Sequence, residues 1–117
     1  MNTRKCGSFY EQKAANFLAA KGYIILEKNF RCKFGEIDLI ALDREVLVFA
    51  EVKYRSGRTS GYPEEAVSFY KQRKISQTAD YYCMKNKISE RADRRFDVIA
   101  IDGGNIRHHV NAFMYCG

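Results

Sequence analysis

The sequence predicts a single α/β domain, spanning residues 1–117, in which helices cover a β-sheet. Two segments show helical patterns, and five further segments have the composition and apolar periodicity of β-strands. The third of these strands, predicted over 45–54, is apolar on both faces for most of its length, which is typical of an interior strand covered on both sides. The predicted order of elements is therefore α-β-β-β-α-β-β.

Composition narrows the classes of protein to which this chain can belong. It is 46% hydrophobic, with eight Gly and one Pro, and so it can bury a core. No apolar run approaches the length of a membrane span, and the N-terminal residues lack the apolar core of a signal peptide. The spacing of the four cysteines matches neither a zinc site nor a disulfide framework. We therefore expect a cytosolic protein with reduced thiols and no membrane partner.

The first helix is predicted from Ser8 to Gly22. Ser8 and Glu11 have the spacing of a capping box, with Ser at the N-cap, and Gly22 is typical of the residue that ends a helix. Between them a stripe at helical spacing predicts the face that packs on the sheet: Tyr10, Ala14, Phe17, Leu18 and Lys21.

The second and third strands, predicted over 34–42 and 45–54, contain a group of charges within apolar sequence. A turn at Asp43-Arg44, with a loop of two or four residues, pairs position 38 with 49 and position 36 with 51. Asp38 and Glu51 then become diagonal neighbours on one face, while Glu36 faces Glu51 directly and Lys53 follows. An odd-length loop would move Asp38 to the other face.

Carboxylates that share a face repel one another unless positive charge lies between them. A hard divalent ion, Mg²⁺ or Mn²⁺, takes oxygen ligands and leaves positions for water and phosphate oxygens. A nearby lysine can orient an attacking water or stabilise a phosphorane-like transition state. Asp38, Glu51 and Lys53 therefore favour metal-assisted phosphodiester hydrolysis, although a cross-strand ion-pair cluster is the structural alternative.

The second helix is predicted from Pro63 to about Lys85, with Glu64 and Glu65 in its favourable first turn. Lys71 interrupts an otherwise apolar stripe of this helix. The stripe consists of Val67, Lys71, Ile75, Ala79 and Cys83. Residues 53–95 contain eleven Lys or Arg and five Asp or Glu, so this segment holds the whole net charge of +6. Such a distribution favours a nucleic-acid-binding surface over an ordinary solvated one.

Near the C-terminus, two strands are predicted over 96–102 and 106–113. His108 and His109 lie on the second of them and point to opposite faces, so they cannot share one metal, and we interpret them as surface or edge residues. Asp97 is expected to pair with Arg94 or Arg95. Three tyrosines are predicted to lie at the surface, where aromatic rings can stack on single strands: Tyr10, Tyr54 and Tyr62.

The sequence resembles the YraN family, a widespread family of bacterial nuclease-like proteins. Four motifs spread over nearly the whole chain account for the resemblance: Gly35-Glu36-Ile37-Asp38-Leu39-Ile40, Glu51-Val52-Lys53-Tyr54-Arg55, Arg95-Phe96-Asp97 and Asn111-Ala112-Phe113. That family is in turn similar to Holliday junction resolvases and the PD-(D/E)xK nuclease superfamily. The resemblance therefore implies a restriction-endonuclease-like αβββαβ core, with a mixed sheet flanked by helices.

The resemblance also implies roles for individual residues. Asp38 and Glu51 match the two metal-binding carboxylates, Lys53 matches the catalytic lysine, and Glu11 matches an acidic residue on the first helix of resolvase-like members. Lys71 or Gln72 matches a polar position directed toward the phosphate, and the helical spacing favours Lys71.

Two features depart from the superfamily pattern. Ile37 stands where many members have the signature proline. Glu36 is an additional carboxylate, interpreted as a further ligand or as a partner of Lys53 or Lys33.

Three functions follow from these observations. The first is a Mg²⁺-dependent endonuclease, a hydrolase acting on DNA, with branched DNA as the substrate suggested by the resolvases. Its basic contacts to the backbone would include Arg55, Arg58, Lys71, Arg73 and Lys74. The second is a nucleic-acid-binding or DNA-processing module of the same fold that does not cleave, and the third is an assembly protein with an acidic partner. The analogy with resolvases also suggests a homodimer.

Overall fold

The computed structural model describes residues 3–55 and 67–116, which form one five-stranded sheet and two helices. The order of elements is the one predicted from the sequence: α1 (Thr3–Ala20), β1 (Ile24–Cys32), β2 (Gly35–Asp43), β3 (Val46–Arg55), α2 (Phe69–Lys85), β4 (Arg94–Asp102) and β5 (Asn105–Phe113). The strands lie side by side in chain order. Only β3 and β4 run parallel, and the other neighbours are antiparallel. The predicted α/β class with a mixed sheet is confirmed, and the arrangement is compatible with a restriction-endonuclease-like core.

The two helices cover opposite faces of the sheet. On the α2 side, Ile75, Ala79 and Cys83 pack against Phe49 and the buried aromatic residues around it. On the α1 side, Ala14 and Leu18 pack against an aliphatic surface of β2, β3 and β4. This second surface consists of Leu39, Ala41, Ala50, Ile99 and Ile101. The central position of β3 beneath both layers confirms that it is an interior strand.

The first helix begins at Thr3, so Ser8 is not its N-cap and the predicted capping box is wrong. Local sequence preference is a weak constraint on where a helix starts, and neighbouring structure often overrides it. The other end agrees with the prediction. Gly22 has φ +95°, Tyr23 N–H donates to Leu18 C=O at 3.0 Å, and Gly22 N–H donates to Ala19 C=O at 3.0 Å. These two bonds form a Schellman motif.

The β2–β3 hairpin turns at Arg44-Glu45, one residue later than predicted. Arg44 adopts a left-handed φ of +59°, which a tight hairpin turn requires. Leu42 therefore pairs with Leu47, and Ile40 pairs with Phe49. The predicted pairs, 38 with 49 and 36 with 51, are wrong by two positions. Because side chains alternate with a period of two, this error leaves the residues of the paired segments, 39–43 and 46–50, on their predicted faces, whereas Ile37 lies on the same side as Ile40 and not on its predicted face.

The second helix begins at Phe69, with Ser68 as its N-cap. The Ser68 hydroxyl accepts a hydrogen bond from Lys71 N–H at 3.2 Å, so the predicted start at Pro63 is wrong. Pro63, Glu64 and Glu65 lie outside the described residues. None of the helices in the part of the chain that the structure describes is long and apolar enough to cross a membrane.

A buried Asp97 joins the C-terminal strands to the rest of the molecule. Its carboxylate is fully buried and accepts bonds from Arg95 Nε at 2.9 Å and Asn111 N–H at 2.9 Å, and it bonds to His108 Nε2 at 2.7 Å. These hydrogen bonds and the positive charge of Arg95 hold the pKa of Asp97 below its ordinary value, despite the opposing effect of burial. The His108 side chain is only 4% exposed, so His108 is not a surface residue, but it lies on β5, an edge strand of the sheet, in agreement with the other half of the prediction.

Candidate active site

The candidate site lies where β2 and β3 separate. Their ladder of backbone pairs extends from Asp43–Val46 to Leu39–Ala50. Beyond it, the side chain of Asp38 connects the two strands. Val52 N–H donates to Asp38 Oδ2 at 2.8 Å, so a carboxylate accepts the bond that a backbone carbonyl would accept in a continued ladder. This bond fixes one oxygen of Asp38, and the same carboxyl group interacts with Glu11 and Glu51.

The strand β2 is irregular at this position. Ile37 and Ile40 both pack in the core on the α2 side, although they are three residues apart. Leu39, between them, packs on the α1 side. The alternation of side chains is therefore interrupted next to Asp38, and this interruption brings Asp38 within the influence of carboxylates from both layers.

Glu51 lies on β3 opposite this irregular point, and it is 9% exposed. Lys71 Nζ on α2 lies 3.3 Å from Glu51 Oε1. Burial is the main cause that raises the pKa of Glu51, followed by the hydrogen bond and the negative charge of Asp38. The Lys71 charge partly offsets these effects, and the resulting pKa is about 8 instead of the ordinary 4.5. The protein alone thus supplies too little positive charge to stabilise the ionised form of Glu51.

Glu11 approaches the same Asp38 from α1. Burial raises the pKa of Glu11 to about 7, and the charge of Asp38, its hydrogen bond and the charge of Glu36 act in the same direction. Because α1 extends to Thr3, Glu11 is in the helix interior and is not engaged in a cap. Glu11, Asp38 and Glu51 therefore form a connected group of carboxyl groups, held by α1, β2 and β3.

Lys53 follows Glu51 by two residues on β3 and so projects from the same face of that strand. Its side chain is half-buried. Glu36 is exposed and forms an ion pair with Arg31 on the neighbouring β1, with Nε and Oε2 3.2 Å apart. The sequence interpretation did not include this partner, and the expectation that Glu36 faces Glu51 is wrong because of the register.

A cavity of about 330 Å³ opens at this cluster, between β2, β3 and the start of α2. Acidic residues of the sheet line one side, and two lysines with polar, aromatic and apolar neighbours at the start of α2 line the other: Glu36, Asp38, Glu51, Ser68, Tyr70, Lys71, Lys74 and Ile75. Gly35, with φ +153°, allows the close approach of the helix, since a Cβ there would lie 3.2 Å from Thr78 Oγ1. The cavity therefore has opposite charge on its two walls.

The remaining predicted contacts divide between described and undescribed parts of the chain. Gln72 does not enter the cavity, because its amide donates to Val67 C=O at 2.8 Å. Arg73 is exposed on the first turns of α2. Arg58 and the side chain of Arg55 lie outside the described residues, as does Tyr62.

The donor set fits a hard cation that is only partly surrounded by protein. Within 3–55 and 67–116, no three His, Cys, Asp or Glu side chains are arranged to hold a metal ion together. Asp38 and Glu51 nevertheless supply two adjacent carboxylates, and Mg²⁺ commonly binds one or two carboxylates while keeping waters and substrate phosphate oxygens as its other ligands. The upward shift of the Glu51 pKa indicates where added positive charge would be stabilising.

Comparison with known proteins identifies the family. The model described as "Uncharacterised protein family UPF0102" matches residues 10–101, which is most of the chain. The chain belongs to the UPF0102 family. The resemblance to the YraN family, which is the same family, is thereby confirmed.

Relatives in this family match the chain over most of its length. It is 46% identical to a UPF0102 protein of Lachnoclostridium phytofermentans, covering 97% of this chain and 96% of that protein. It is 47% identical to a UPF0102 protein of Clostridioides difficile, covering 97% of this chain and 100% of that protein. A UPF0102 protein of Clostridium botulinum is 54% identical over 81% of this chain and 77% of its own length.

In this UPF0102 protein, the structure brings together Glu11, Asp38, Glu51 and Lys71 from four separate elements. The sequence interpretation missed Val52 N–H and Arg31, which bind Asp38 and Glu36 respectively. Backbone donors have no sequence signal of their own, and the Arg31 contact depends on the register of β1. No sequence pattern could have indicated either.

Proposed function

We propose that this protein is a metal-dependent endonuclease that hydrolyses phosphodiester bonds in DNA. The observation that supports this proposal best is the pairing of Asp38 with Glu51 at the separation of β2 and β3, beside a cavity with a basic wall. Buried carboxylates are costly, and placing two of them together without enough compensating charge is favourable only if a cation or a proton joins them.

Each residue of the site has a defined role in this proposal. Asp38 and Glu51 hold a Mg²⁺ or Mn²⁺ ion, which when bound supplies electrostatic stabilisation of the charge that develops on the phosphoryl oxygens. Glu11 contacts Asp38 and positions it. Lys53 stabilises negative charge on the phosphate, and Lys71 and Lys74 bind the adjacent backbone from α2.

The reaction that these residues would support is a single displacement. A water oxygen bonds to phosphorus while the bond from phosphorus to one sugar oxygen breaks. The proton that the water loses is balanced by the proton that the departing sugar oxygen gains. The alignment of Lys53 with the charged oxygens is expected to lower the barrier, because charge develops there in the transition state.

The test is cleavage of linear, single-stranded and branched DNA in Mg²⁺, Mn²⁺ or EDTA. We expect metal-dependent cutting, which falls at least about a hundredfold in Asp38→Ala and Lys53→Ala. Glu45→Gln is the matched control, because Glu45 is an exposed carboxylate at the far end of the same hairpin. Metal-dependent cutting that persists in Asp38→Ala and Lys53→Ala would show that the activity belongs to a contaminant, and would overturn the proposal.

A second function, nucleic-acid binding without cleavage, is favoured by the Lys71–Glu51 ion pair. If Lys71 remained in that contact, it would occupy a carboxylate that the metal needs. DNA binding without cutting on every substrate, in every metal, would support this alternative. A homodimer, as in resolvases, belongs to the first proposal, and sedimentation of the protein with and without branched DNA tests it.

A further inference from the structure

Exposed aromatic rings lie close in sequence to residues of the carboxylate cluster and its cavity, on both sides of the sheet. Within the described part of the chain, five aromatic residues are strongly exposed: Phe9 (62%), Tyr54 (41%), Phe69 (67%), Tyr70 (71%) and Tyr115 (54%). The first four lie within two residues of a site residue in the sequence. Phe9 lies two residues before Glu11, Tyr54 follows Lys53, and Phe69 and Tyr70 precede Lys71. Only Tyr115 lies elsewhere, where it bonds to Asp80.

One group of rings forms a fixed platform beside the sheet. Tyr10 on α1 stacks on Tyr54 on β3, with ring centroids 4.2 Å apart and an interplanar angle of 11°. Phe9 packs edge-on against Tyr10, at 5.2 Å and 85°. Because the rings come from two elements and support one another, the platform is ordered before any ligand binds. We call these three residues the α1–β3 platform.

The other group lies on the α2 side of the sheet, on the first turn of α2 beside the cavity. Tyr70 lines the cavity itself, and Lys74 Nζ lies 5.4 Å from its ring centroid. Phe69, beside it, has no polar group that could explain its exposure. Lys71 and Lys74 place positive charge between this pair of rings and the carboxylates. We call Phe69 and Tyr70 the α2 platform.

Burying these rings elsewhere would stabilise the protein, so their exposure around a charged cleft indicates a ligand with both flat apolar surfaces and negative charge. Unpaired nucleotides have this combination: their bases stack on aromatic rings and their phosphates bind lysines. Bases inside a duplex stack on one another and cannot reach rings at a protein surface. We therefore infer that the α1–β3 and α2 platforms bind unpaired bases on either side of the site, so that the substrate is single-stranded or locally unpaired DNA.

This inference rests on the proposed function for the identity of the ligand as DNA, but it concerns binding and not cleavage. It also excludes a defined recognition sequence, because every base has a face that can stack. The strand would place its phosphates beside Lys71 and Lys74 and stack bases on the α2 platform at the cavity, and it would reach the α1–β3 platform on the other face of the sheet. A branched substrate would enter through its unpaired segment.

The test measures binding in EDTA, where metal-dependent cleavage cannot occur. Fluorescence anisotropy would compare a labelled oligodeoxythymidine with a duplex of the same length, for wild type, Tyr54→Ala and Tyr70→Ala. We expect wild type to prefer the single strand, and each alanine variant to lose roughly 5- to 100-fold of that affinity while its duplex affinity stays within about twofold. Tyr54→Phe and Tyr70→Phe keep the ring and should stay within about threefold of wild type.

Tyr115→Ala is the matched control, because it removes an exposed tyrosine that is remote from the cavity, and it should leave DNA binding unchanged. Phe69→Ala is a third platform variant and should also lose affinity for the single strand. Because Phe69 is 67% exposed, its removal should not disturb the core, so that loss could not be attributed to misfolding. The chain contains no Trp and eight Tyr, so the part of the tyrosine quenching by the bound strand that is lost in Tyr54→Ala or Tyr70→Ala reports stacking on the platforms. Equal affinity for single strand and duplex, or no loss in the three platform variants, would overturn the inference and favour a protein ligand for these rings.

The outcomes separate this inference from the proposed function. Strand preference that depends on the platforms, with no cleavage of any DNA, would overturn the endonuclease and retain the inference. Metal-dependent cleavage of duplex and single strand at equal rates, unaffected by Tyr54→Ala and Tyr70→Ala, would retain the endonuclease and overturn the inference.

Discussion

At the scale of single residues, ionised Glu51 lowers the free energy of unfolding of the protein. Its folded-state pKa of about 8 lies above the ordinary 4.5, so folding favours the protonated form. The stabilising contribution of that proton is complete below pH 4.5 and is lost as the pH rises through about 8. A bound cation would replace the proton above that pH. Binding is therefore expected to offset an electrostatic cost that the empty protein cannot avoid.

We predict that Glu51→Gln stabilises the protein at high pH in EDTA. Gln is neutral and nearly the same size, so it removes the repulsion from Asp38 at all pH values, although it also weakens the Lys71 contact. One unit of pKa shift corresponds to about 1.4 kcal/mol, so the Tm advantage of the variant should grow by at least about 3 °C between pH 4.5 and 8. Thermal unfolding followed by circular dichroism across this range measures the difference.

The Glu51→Gln variant should also lose the increase in Tm that Mg²⁺ gives wild type at pH 8. Glu45→Gln, on the exposed turn, should follow wild type in both respects. If wild type and Glu51→Gln changed in parallel with pH, Glu51 would not be the group that titrates.

At the scale of elements, the two helix starts show which local signals determine structure. Ser8-Glu11 and Ser68 both offer a serine before a helical stripe, but only Ser68 has the extended backbone of an N-cap, with φ −60° and ψ 151°. Ser8 lies inside α1, where its hydroxyl has no orphan donor to satisfy. The consequence for function is direct, since Glu11 is thereby available to contact Asp38.

We predict opposite effects for alanine at these two serines. Ser68→Ala removes a cap and should cost about 1 kcal/mol of the free energy of unfolding. Ser8→Ala replaces an exposed residue in a helix interior by the best helix former, and should be neutral or stabilise by up to about 0.5 kcal/mol. Chemical denaturation of both variants and wild type, under one set of conditions, makes the comparison. A loss at Ser8 as large as that at Ser68 would contradict the start of α1 at Thr3.

The β2–β3 hairpin shows the limit of sequence prediction at this scale. The apolar pattern places Asp38 and Glu51 on compatible faces, because shifting a strand by one residue would bury its polar face. A shift by two residues preserves every face, so the pattern cannot distinguish the predicted pair, 38 with 49, from the observed pair, Ile40 with Phe49. The turn residues would have to decide, and Asp43-Arg44-Glu45 contains neither Gly nor Asn to mark the left-handed position.

At the scale of the whole molecule, the element order and the central position of β3 could be predicted because they depend on periodicity and composition. The contacts of Glu11 with Asp38 and of Lys71 with Glu51 depend on how α1 and α2 pack on opposite faces. Only the family resemblance indicated the first of these, while the helical stripe indicated that Lys71 points inward. The edge position of His108 was predicted, but the burial of its side chain was not, because that burial requires Asp97 from the neighbouring strand.

The structure shows that the described basic residues of segment 53–95 lie at different distances from the candidate site. The helix α2 has 17 residues and so is about 25 Å long. Lys71 and Lys74 line the cavity at its start, whereas Lys87 and Arg91 lie beyond its other end. The sequence assigned the same excess charge to the whole segment, but within the described residues 67–95 the lysines beside the carboxylate cluster are those at the start of α2. Lys87 and Arg91 therefore contribute to the net charge of +6 without lying at the cavity.

We predict that salt dependence of DNA binding separates these two groups of basic residues. Each phosphate neutralised on a single strand contributes about −0.7 to the slope of log affinity against log salt concentration. Lys74→Gln and Lys71→Gln should each make the slope shallower by about this amount, because each removes one phosphate contact at the cavity. Lys87→Gln and Arg91→Gln remove the same charge at the other end of α2 and should leave the slope unchanged. Equal effects of all four substitutions would mean that DNA responds to the total charge and that the cavity does not position the strand.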